Sequence, residues 1–272
     1  MTAHGATVPA ARPATAALLL AHGAAGTVRA NFGPLIPALS RTVPAFGPDF
    51  PGSGGTPRAS GPLELDDLAD QLVAAAGDVE TFAILGYSMG CAVAVRAAIR
   101  HPRRVAGLIL TAGAPRVDAD TRARMDEWQR LAERDHTALA RFIMSVMFSE
   151  TFLGTLTDHQ LESFLDLIVF TTPAGTTEQI DLVRRIDVER DLPNITAPTL
   201  VIGTKHDRLI APSSMRAYAD GIPGARWTEL DSGHAVALEA PQQWLSLVEA
   251  FLTETASPAV VEQTEVVDAR TS

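Results

Sequence analysis

The sharpest chemical signal in this sequence is a serine held between two glycines. Ser88 stands in the segment Gly86-Tyr87-Ser88-Met89-Gly90, which follows an apolar stretch typical of a strand and precedes an alanine-rich stretch typical of a helix. A tight strand-to-helix turn needs small neighbours, lifts the serine hydroxyl above the sheet and places the next amide at a helix N-terminus. The pattern therefore predicts Ser88 as a nucleophile and the Met89 amide as a donor that stabilises an oxyanion.

A nucleophilic serine needs a base, and the base needs a group that orients it. His234 and Asp207 each follow directly after a predicted strand. Because the carboxyl ends of parallel strands meet at one edge of a sheet, both side chains are expected to lie beside Ser88. We interpret His234 as the base and Asp207 as the orienting acid. His206 is a rival base, but it comes before the acid and next to it, and this position disfavours it.

A third loop, His22-Gly23-Ala24, follows the first apolar strand. We expect it to supply the second oxyanion donor, the N–H of Ala24, beside that of Met89. His22 could itself act as a base. We favour a different role, in which its hydrogen bonds brace the loop while Gly23 permits close approach of the backbone.

The elements that must position these residues alternate between short apolar strands and amphipathic helices. The predicted strands are Ala16–Ala21, Val43–Phe46, Phe82–Leu85, Val105–Thr111, Pro198–Gly203 and Arg226–Leu230. The predicted helices are Leu63–Ala76, Met89–Arg100, Ser213–Gly221 and Pro241–Leu252. Strands separated by helical stretches predict an α/β fold in which helices flank a mostly parallel sheet.

This alternation stops between about residues 115 and 190, where helical periodicity and apolar side chains dominate. An apolar helical insertion predicts a cap that roofs the site and also packs a small core of its own. The expected organisation is a flexible arm at 1–14, a core at 15–114 and 191–253, a helical cap at 115–190 and a flexible tail at 254–272.

The substrate pocket is expected where the cap meets the nucleophile. The cap segment carries five of the ten phenylalanines of the chain, together with several methionines. From this set we predict Phe142, Met147 and Phe148 as pocket residues, and we add Tyr87 because it adjoins Ser88. Ordinary packing is the alternative for Tyr87.

Together these motifs resemble the α/β-hydrolase superfamily, in its serine-nucleophile branch with a helical cap. The resemblance rests on the segments LLLAHGAAG, FPGSGGT, LGYSMGCAVA, PTLVIGTKHDRLI and DSGHAVALEAP, and it covers residues 15–253. It implies Ser88 as nucleophile, Asp207 as acid and His234 as base, in the chain order of that fold. It also implies that the amides of Ala24 and Met89 form the oxyanion hole.

The start of the chain departs from the family pattern. The first strand candidate begins near residue 15, so the antiparallel hairpin that commonly opens the fold is expected to be short or absent. The resemblance then implies a sheet of about six to eight strands, with six if the hairpin is missing.

The predicted function is hydrolysis of an ester, thioester or lactone of a mostly apolar small molecule through an acyl-Ser88 intermediate. One alternative is a lyase or cyclase that uses the same triad, for example in acyloxy elimination or carbon–carbon cleavage. A second alternative is a protein that binds a small molecule without catalysis.

Composition narrows the possible partners. The formal net charge is −10 and no run of Lys or Arg stands out, so no nucleic-acid partner is expected. Cys91 is the single cysteine, and no metal-ligand cluster or cofactor motif is present, so neither a metal nor a cofactor is implied. No apolar run reaches the length of about 18 residues that a membrane span needs.

Residues 1–25 loosely resemble a secretory signal, but their apolar stretch is better interpreted as a buried strand, so a cytoplasmic location is expected. The oligomeric state is not predicted.

Overall fold

The computed structural model describes residues 15–256, which form a parallel sheet flanked by helices. The strands are β1 (Leu18–Ala21), β2 (Ala45–Phe46), β3 (Phe82–Tyr87), β4 (Val105–Thr111), β5 (Thr199–Thr204) and β6 (Arg226–Leu230). They lie in the order β2-β1-β3-β4-β5-β6, and every pairing is parallel. The predicted α/β class is therefore confirmed, with six strands in the described part of the chain. No hairpin precedes β1 within residues 15–256, and the predicted arm 1–14 lies outside them.

The strands at the centre of the sheet are short apolar runs, because helices cover both faces of a parallel sheet. β1, β3 and β5 are buried along their whole length, whereas β6 at the edge is partly exposed. β2 is shorter than the predicted strand Val43–Phe46. Pro44 has no N–H to donate to a neighbouring strand, although its carbonyl still accepts a hydrogen bond of 2.8 Å from Leu18 N.

Twelve α-helices surround the sheet within residues 15–256. They are α1 (Val28–Phe32), α2 (Ile36–Leu39), α3 (Leu65–Ala74), α4 (Met89–Arg100), α5 (Ala119–Arg134), α6 (His136–Met147), α7 (Glu150–Leu153), α8 (Asp158–Thr171), α9 (Thr176–Arg184), α10 (Pro212–Gly221), α11 (Val236–Glu239) and α12 (Pro241–Ala256). A 3-10 helix, Glu189–Asn194, follows α9. Because α12 continues to Ala256, the segment predicted as a tail from residue 254 begins as helix, and the remainder lies outside the described residues.

Five of these helices, α5 to α9, lie between β4 and β5. The segment that carries them leaves and rejoins the core at one place, where Arg116 and Asp187 form an antiparallel bridge. Beside this bridge Val188 N donates a hydrogen bond of 2.8 Å to Pro115 O. We call residues 115–188 the helical insertion. Within it α5 packs on α6 and α9, and α6 packs on α8.

The helical insertion has a small aromatic core of its own. The rings of Phe148 and Phe152 stack with centroids 5.5 Å apart, and both meet the ring of Phe164 edge-on. The outer surface of α8 is different, because Phe170 is 90% exposed. The apolar residues of this segment are thus divided between internal packing, the cavity described below and the outer surface.

Candidate active site

The serine turn is built as tightly as the sequence predicts. β3 ends directly before Ser88 and α4 begins directly after it. Ser88 has φ 54° and ψ −120°, a left-handed backbone that residues other than glycine rarely adopt. A Cβ at Gly86 would lie 2.6 Å from the carbonyl oxygen of Gly90, and a Cβ at Gly90 would lie 1.9 Å from that of Ala21. Only glycine fits at these two positions, and their absent side chains allow the close packing that holds Ser88 in its turn.

His234 lies between Ser88 and Asp207. Its Nε2 is 3.0 Å from Ser88 Oγ, and its Nδ1 is 2.7 Å from Asp207 Oδ2. An ionised carboxylate only accepts hydrogen bonds, so Nδ1 carries the proton and Nε2 accepts from the serine hydroxyl. His234 is 1% exposed and Asp207 is 7% exposed, so water does not compete for these contacts. The arrangement can move the serine proton to His234 while Asp207 holds the imidazole in place.

The Asp207 carboxylate is fixed from its own loop as well. Thr204 Oγ1 donates to Oδ2 at 2.9 Å, and the amides of Leu209 and Ile210 each donate to Oδ1 at 2.8 Å. Both oxygens of this buried group are thereby satisfied, as a buried carboxylate requires. Its orientation toward His234 is consequently set by the turn that follows β5.

The loop that carries His234 is held by hydrogen bonds from two side chains. Tyr87 Oη donates a hydrogen bond of 2.8 Å to the carbonyl of His234. Burial raises the pKa of the Tyr87 phenol well above its usual range, so this donor keeps its proton. The carboxylate of Glu239 accepts hydrogen bonds from Gly233 N at 2.9 Å and from Ser149 Oγ at 2.6 Å. Glu239 therefore ties the loop to the start of α7 in the helical insertion.

The predicted oxyanion donors belong to Met89, the residue after Ser88, and to Ala24, which lines the same cavity as Ser88. The amide nitrogens of Ala24 and Met89 have no hydrogen-bond acceptor within residues 15–256, so both N–H groups are free. The loop of Ala24 passes directly over the nucleophile, because a Cβ at Gly23 would lie 3.1 Å from Ser88 Cβ. Both N–H groups are therefore candidates to bind an oxyanion formed on a substrate attacked by Ser88.

Neither of the other two candidate bases forms a hydrogen bond with Ser88. The ring of His22 is fully buried, donates from Nδ1 to Gly23 O at 2.8 Å and accepts at Nε2 from Phe50 N at 2.8 Å. Burial lowers the pKa of His22, and the neutral ring braces the loop as expected. His206 is half exposed and contacts the carboxylate of Asp231.

The single cysteine lies just inside the turn. The Cys91 thiol is fully buried and within 3.3 Å of the carbonyl oxygens of Gly86 and Thr111. Burial raises the pKa of the thiol far above its usual range, so it stays protonated. A Cβ at Gly113 would lie 2.7 Å from its sulfur, which indicates how closely this site is packed.

A cavity of about 210 Å³ opens above Ser88 and His234. Its floor comes from the core, with Ala24, Asn31 and Tyr87, and its roof comes from the helical insertion. The roof residues are Met125, Trp128, Ile143, Met147, Phe148, Ile168, Thr171, Thr172, Ile180 and Val183. No Asp, Glu, Lys or Arg side chain lines it within the described part of the chain. The cavity therefore suits an uncharged and largely apolar molecule.

Comparison with known proteins agrees with this geometry. The sequence matches the model of the family described as alpha/beta hydrolase fold over residues 16–241. The chain belongs to the α/β-hydrolase fold family. It is 33% identical over 240 residues to a pyrrolizixenacetamide deacetylase of Xenorhabdus hominickii, a match that covers 86% of this chain and 90% of that protein. It is 28% identical over 234 residues to a pimeloyl-[acyl-carrier protein] methyl ester esterase of Neisseria meningitidis, which covers 84% of this chain and 74% of the relative.

Solved structures of α/β-hydrolases are similar over the same extent. The enol-lactonase from Burkholderia xenovorans superimposes with a TM-score of 0.78 at 25% identity, covering 88% of this chain and 92% of that one. A thermophilic esterase from Thermogutta terrifontis has the same TM-score at 23% identity, covers 90% of this chain and 92% of its own, and shares the fold. With these relatives the chain is identified as an enzyme of the hydrolase class.

Three of the four predicted pocket residues line the cavity of this α/β-hydrolase. They are Tyr87, Met147 and Phe148. Phe142 is not among the lining residues: its ring packs edge-on against Trp128, with centroids 6.2 Å apart, and Trp128 lines the cavity. The sequence places both residues on amphipathic helices but does not say which side of each helix faces the cavity.

Sequence reasoning missed several residues that surround the catalytic loops. Asn31 and Gln179 contact the loop after β1, at 2.9 Å and 2.8 Å from its amides. Neither belongs to a recognisable motif. Glu239 lies in the segment DSGHAVALEAP, where its position after His234 was a signal that could have indicated a role.

Two further kinds of site are absent from residues 15–256. They contain no group of three His, Cys, Asp or Glu side chains arranged to hold a metal ion. None of their helices combines the length and the apolar composition needed to cross a bilayer.

Proposed function

We propose that this hydrolase cleaves an ester, thioester or lactone bond of an uncharged, mostly apolar small molecule through an acyl-Ser88 intermediate. One observation carries the proposal: the hydrogen-bonded series Ser88–His234–Asp207 opens into a cavity without charged side chains. The helical insertion is proposed to act as the cap that shapes this cavity.

In the proposed mechanism Ser88 Oγ attacks the carbonyl carbon while His234 Nε2 takes the hydroxyl proton. Asp207 keeps its hydrogen bond to Nδ1 and stabilises the imidazolium. The N–H groups of Ala24 and Met89 hold the oxyanion of the tetrahedral intermediate. His234 then gives the proton to the leaving oxygen or sulfur, and the bond to the leaving group breaks. Water repeats the sequence on the acyl-serine and releases the acid.

The cavity lining supports an uncharged acyl group. A charged substrate group would leave water without gaining a partner of opposite charge, and such transfer is costly. The neutral hydroxyls of Thr171 and Thr172 already donate to backbone carbonyls, and they can still accept a hydrogen bond from an N–H group of a substrate.

An amide is a second candidate bond. The relative with 33% identity is named for the deacetylation of pyrrolizixenacetamide, and this similarity favours an N-acetyl amide. The same residues would act, with His234 protonating a leaving nitrogen.

The decisive experiment is intact-mass labelling with a fluorophosphonate. We expect one adduct on the wild-type protein, none on Ser88→Ala, and one on the exposed control Ser246→Ala. Loss of labelling only in Ser88→Ala supports the proposal, and esters, thioesters, lactones and N-acetyl amides of graded acyl length would then identify the bond. An unlabelled wild-type protein would contradict it and favour elimination with His234 as general base.

The proposal includes a cytoplasmic location. The single cysteine, Cys91, is a free thiol, and a chain without an internal disulfide is compatible with a reducing compartment. Fractionation of cells that express the full chain tests this point.

A further inference from the structure

Three consecutive amides in the loop after β1 have different partners. The N–H of Gly23 donates to Asn31 Oδ1 at 2.9 Å, and the N–H of Ala25 donates to Gln179 Oε1 at 2.8 Å. The N–H of Ala24, between them, has no acceptor within residues 15–256. Two side-chain amides therefore occupy the outer donors and leave the middle one for a ligand.

The side-chain amide of Gln179 is not available to bind a substrate. It is fully buried on α9, and its Nε2 donates to Pro51 O at 3.0 Å and to Ser53 Oγ at 2.8 Å. A flipped amide would place its NH₂ against the N–H of Ala25 and its oxygen against the carbonyl of Pro51, so the orientation is fixed at both ends. The side chain acts on the loop and does not reach the cavity.

Ala25 requires such a contact. Its φ is 56°, in the left-handed region that favours glycine, and nothing in its own side chain stabilises that conformation. The hydrogen bond from its N–H to Gln179 holds the backbone there. The peptide group that carries the Ala24 N–H lies between the two that carry the Gly23 and Ala25 N–H groups, so fixing both neighbours restricts its direction.

The start of α9 is itself fastened to the core. Gly175 N donates to Gly52 O at 3.0 Å, and a Cβ at Gly52 would lie 2.3 Å from the Cα of Gly175. The two backbones touch, so Gln179 begins from a fixed position. On the other side of the loop, Asn31 belongs to α1, which is held by the hydrogen bond of 2.8 Å from Val28 N to Asp49 Oδ1.

We propose that Asn31 and Gln179 are positioning residues that aim the Ala24 N–H at the oxyanion. This inference rests on the proposed function. Gln179 comes from the helical insertion and Asn31 from the core, so the two parts of the molecule jointly set one donor of the oxyanion hole. A shift of α9 would change catalysis without changing Ser88, His234 or Asp207.

The test compares Asn31→Leu and Gln179→Met with the exposed control Gln242→Met, using an ester that the wild-type enzyme cleaves. Loss of a whole oxyanion donor costs about 10²–10³ in kcat, so a misdirected donor should cost about 10- to 100-fold. KM should change less than about threefold, because the loss falls on the transition state. The affinity for a trifluoromethyl ketone, which forms an oxyanion on Ser88, should fall in parallel with kcat.

A purely structural role would lower the melting temperature but leave the kcat of the folded, titrated enzyme unchanged, and that result would overturn the inference. Wild-type kcat in both variants, with the wild-type protein labelled by fluorophosphonate, would overturn it too. Failure of the proposed function would appear separately, as an unlabelled wild-type protein.

Amide hydrogen exchange on the wild-type protein provides a measurement that needs neither activity nor a folded variant. The amides of Gly23 and Ala25 should exchange slowly and that of Ala24 quickly. Equal protection of all three amides would contradict the assignment.

Discussion

Tyr87 Oη donates its hydrogen bond to the carbonyl oxygen of His234, so the residue before Ser88 supports the residue that we propose deprotonates the serine. The two rings also lie with centroids 5.2 Å apart. Through this contact the position of the imidazole depends on the end of β3, the strand that also carries Ser88 into its turn. Ser88 and His234, the proposed nucleophile and base, are therefore both held by the end of β3.

Tyr87→Phe is expected to lower kcat about tenfold, because the ring stays but the carbonyl of His234 loses the hydrogen bond from the Tyr87 hydroxyl. Stability should fall by only about 0.5–1.5 kcal/mol, since the same carbonyl also accepts from Val236 N. Tyr218→Phe is the matched control: its hydroxyl is equally buried and donates to Ala114 O at 3.0 Å, away from the loop. Urea unfolding and steady-state kinetics separate the two effects, and equal kcat values in both variants would contradict this role of Tyr87.

Glu239→Gln is expected to weaken the hydrogen bonds that link the loop of His234 to the start of α7. The carboxylate accepts from Gly233 N, Ser149 N and Ser149 Oγ, and an amide would face one of these donors with its own NH₂. We expect a loss of about 1–3 kcal/mol in unfolding free energy and a lower kcat. Glu162→Gln, on the exposed side of α8, should leave both unchanged. An unaltered kcat in Glu239→Gln would show that α7 does not contribute to placing His234.

His22 predicts a specific acid sensitivity. Its pKa in the folded protein is lowered from the ordinary 6.5, mainly by burial, so the unfolded chain binds the extra proton first. The neutral ring contributes its full stability above that ordinary value, and the contribution declines as the pH falls from there toward the lowered pKa. Urea midpoints measured between about pH 7.5 and 5 should therefore decrease more in the wild-type protein than in His22→Gln. The exposed control His159→Gln should follow the wild-type curve, and parallel curves for wild type and His22→Gln would refute the prediction.

Gly90→Ala is expected to prevent formation of the serine turn. The new Cβ would lie 1.9 Å from a backbone oxygen of β1, and neither strand nor helix can retreat without breaking the sheet. The cost should exceed about 3 kcal/mol and abolish soluble, active protein. Gly55→Ala is the control, because a Cβ there meets nothing within 4 Å. Soluble yield and melting temperature report the difference, and a stable, active Gly90→Ala would refute the steric argument.

The meeting of the three candidate catalytic residues could be predicted because each of them follows a strand. Strand ends are visible as short apolar runs, and a parallel sheet brings them to one edge, so Ser88, Asp207 and His234 were expected to meet before any distance was known. β2 was predicted too long because an apolar run does not reveal where Pro44 interrupts pairing. The fold was thus accessible from local pattern and elementary topology.

The supporting contacts could not be predicted in the same way. Gln179 reaches Ala25 across 154 positions of sequence, and a glutamine in an amphipathic helix carries no mark of such a partner. The packing of Phe142 against Trp128 could not be predicted for a related reason, since residue type indicates apolarity but not the direction of a side chain. Long-range side-chain contacts and the rotation of each helix about its axis are consequences of packing, and they appear only in three dimensions.

The buried position of Cys91 makes its thiol a probe of local unfolding around the serine turn. Its thiol is the only one in the chain, and the closed sheet edge keeps it buried and protonated beside the serine turn. An alkylating reagent should therefore modify the protein no faster than the region between β3 and β4 opens. The rate of thiol alkylation then reports how often the ends of β3 and β4 around Ser88 unfold locally.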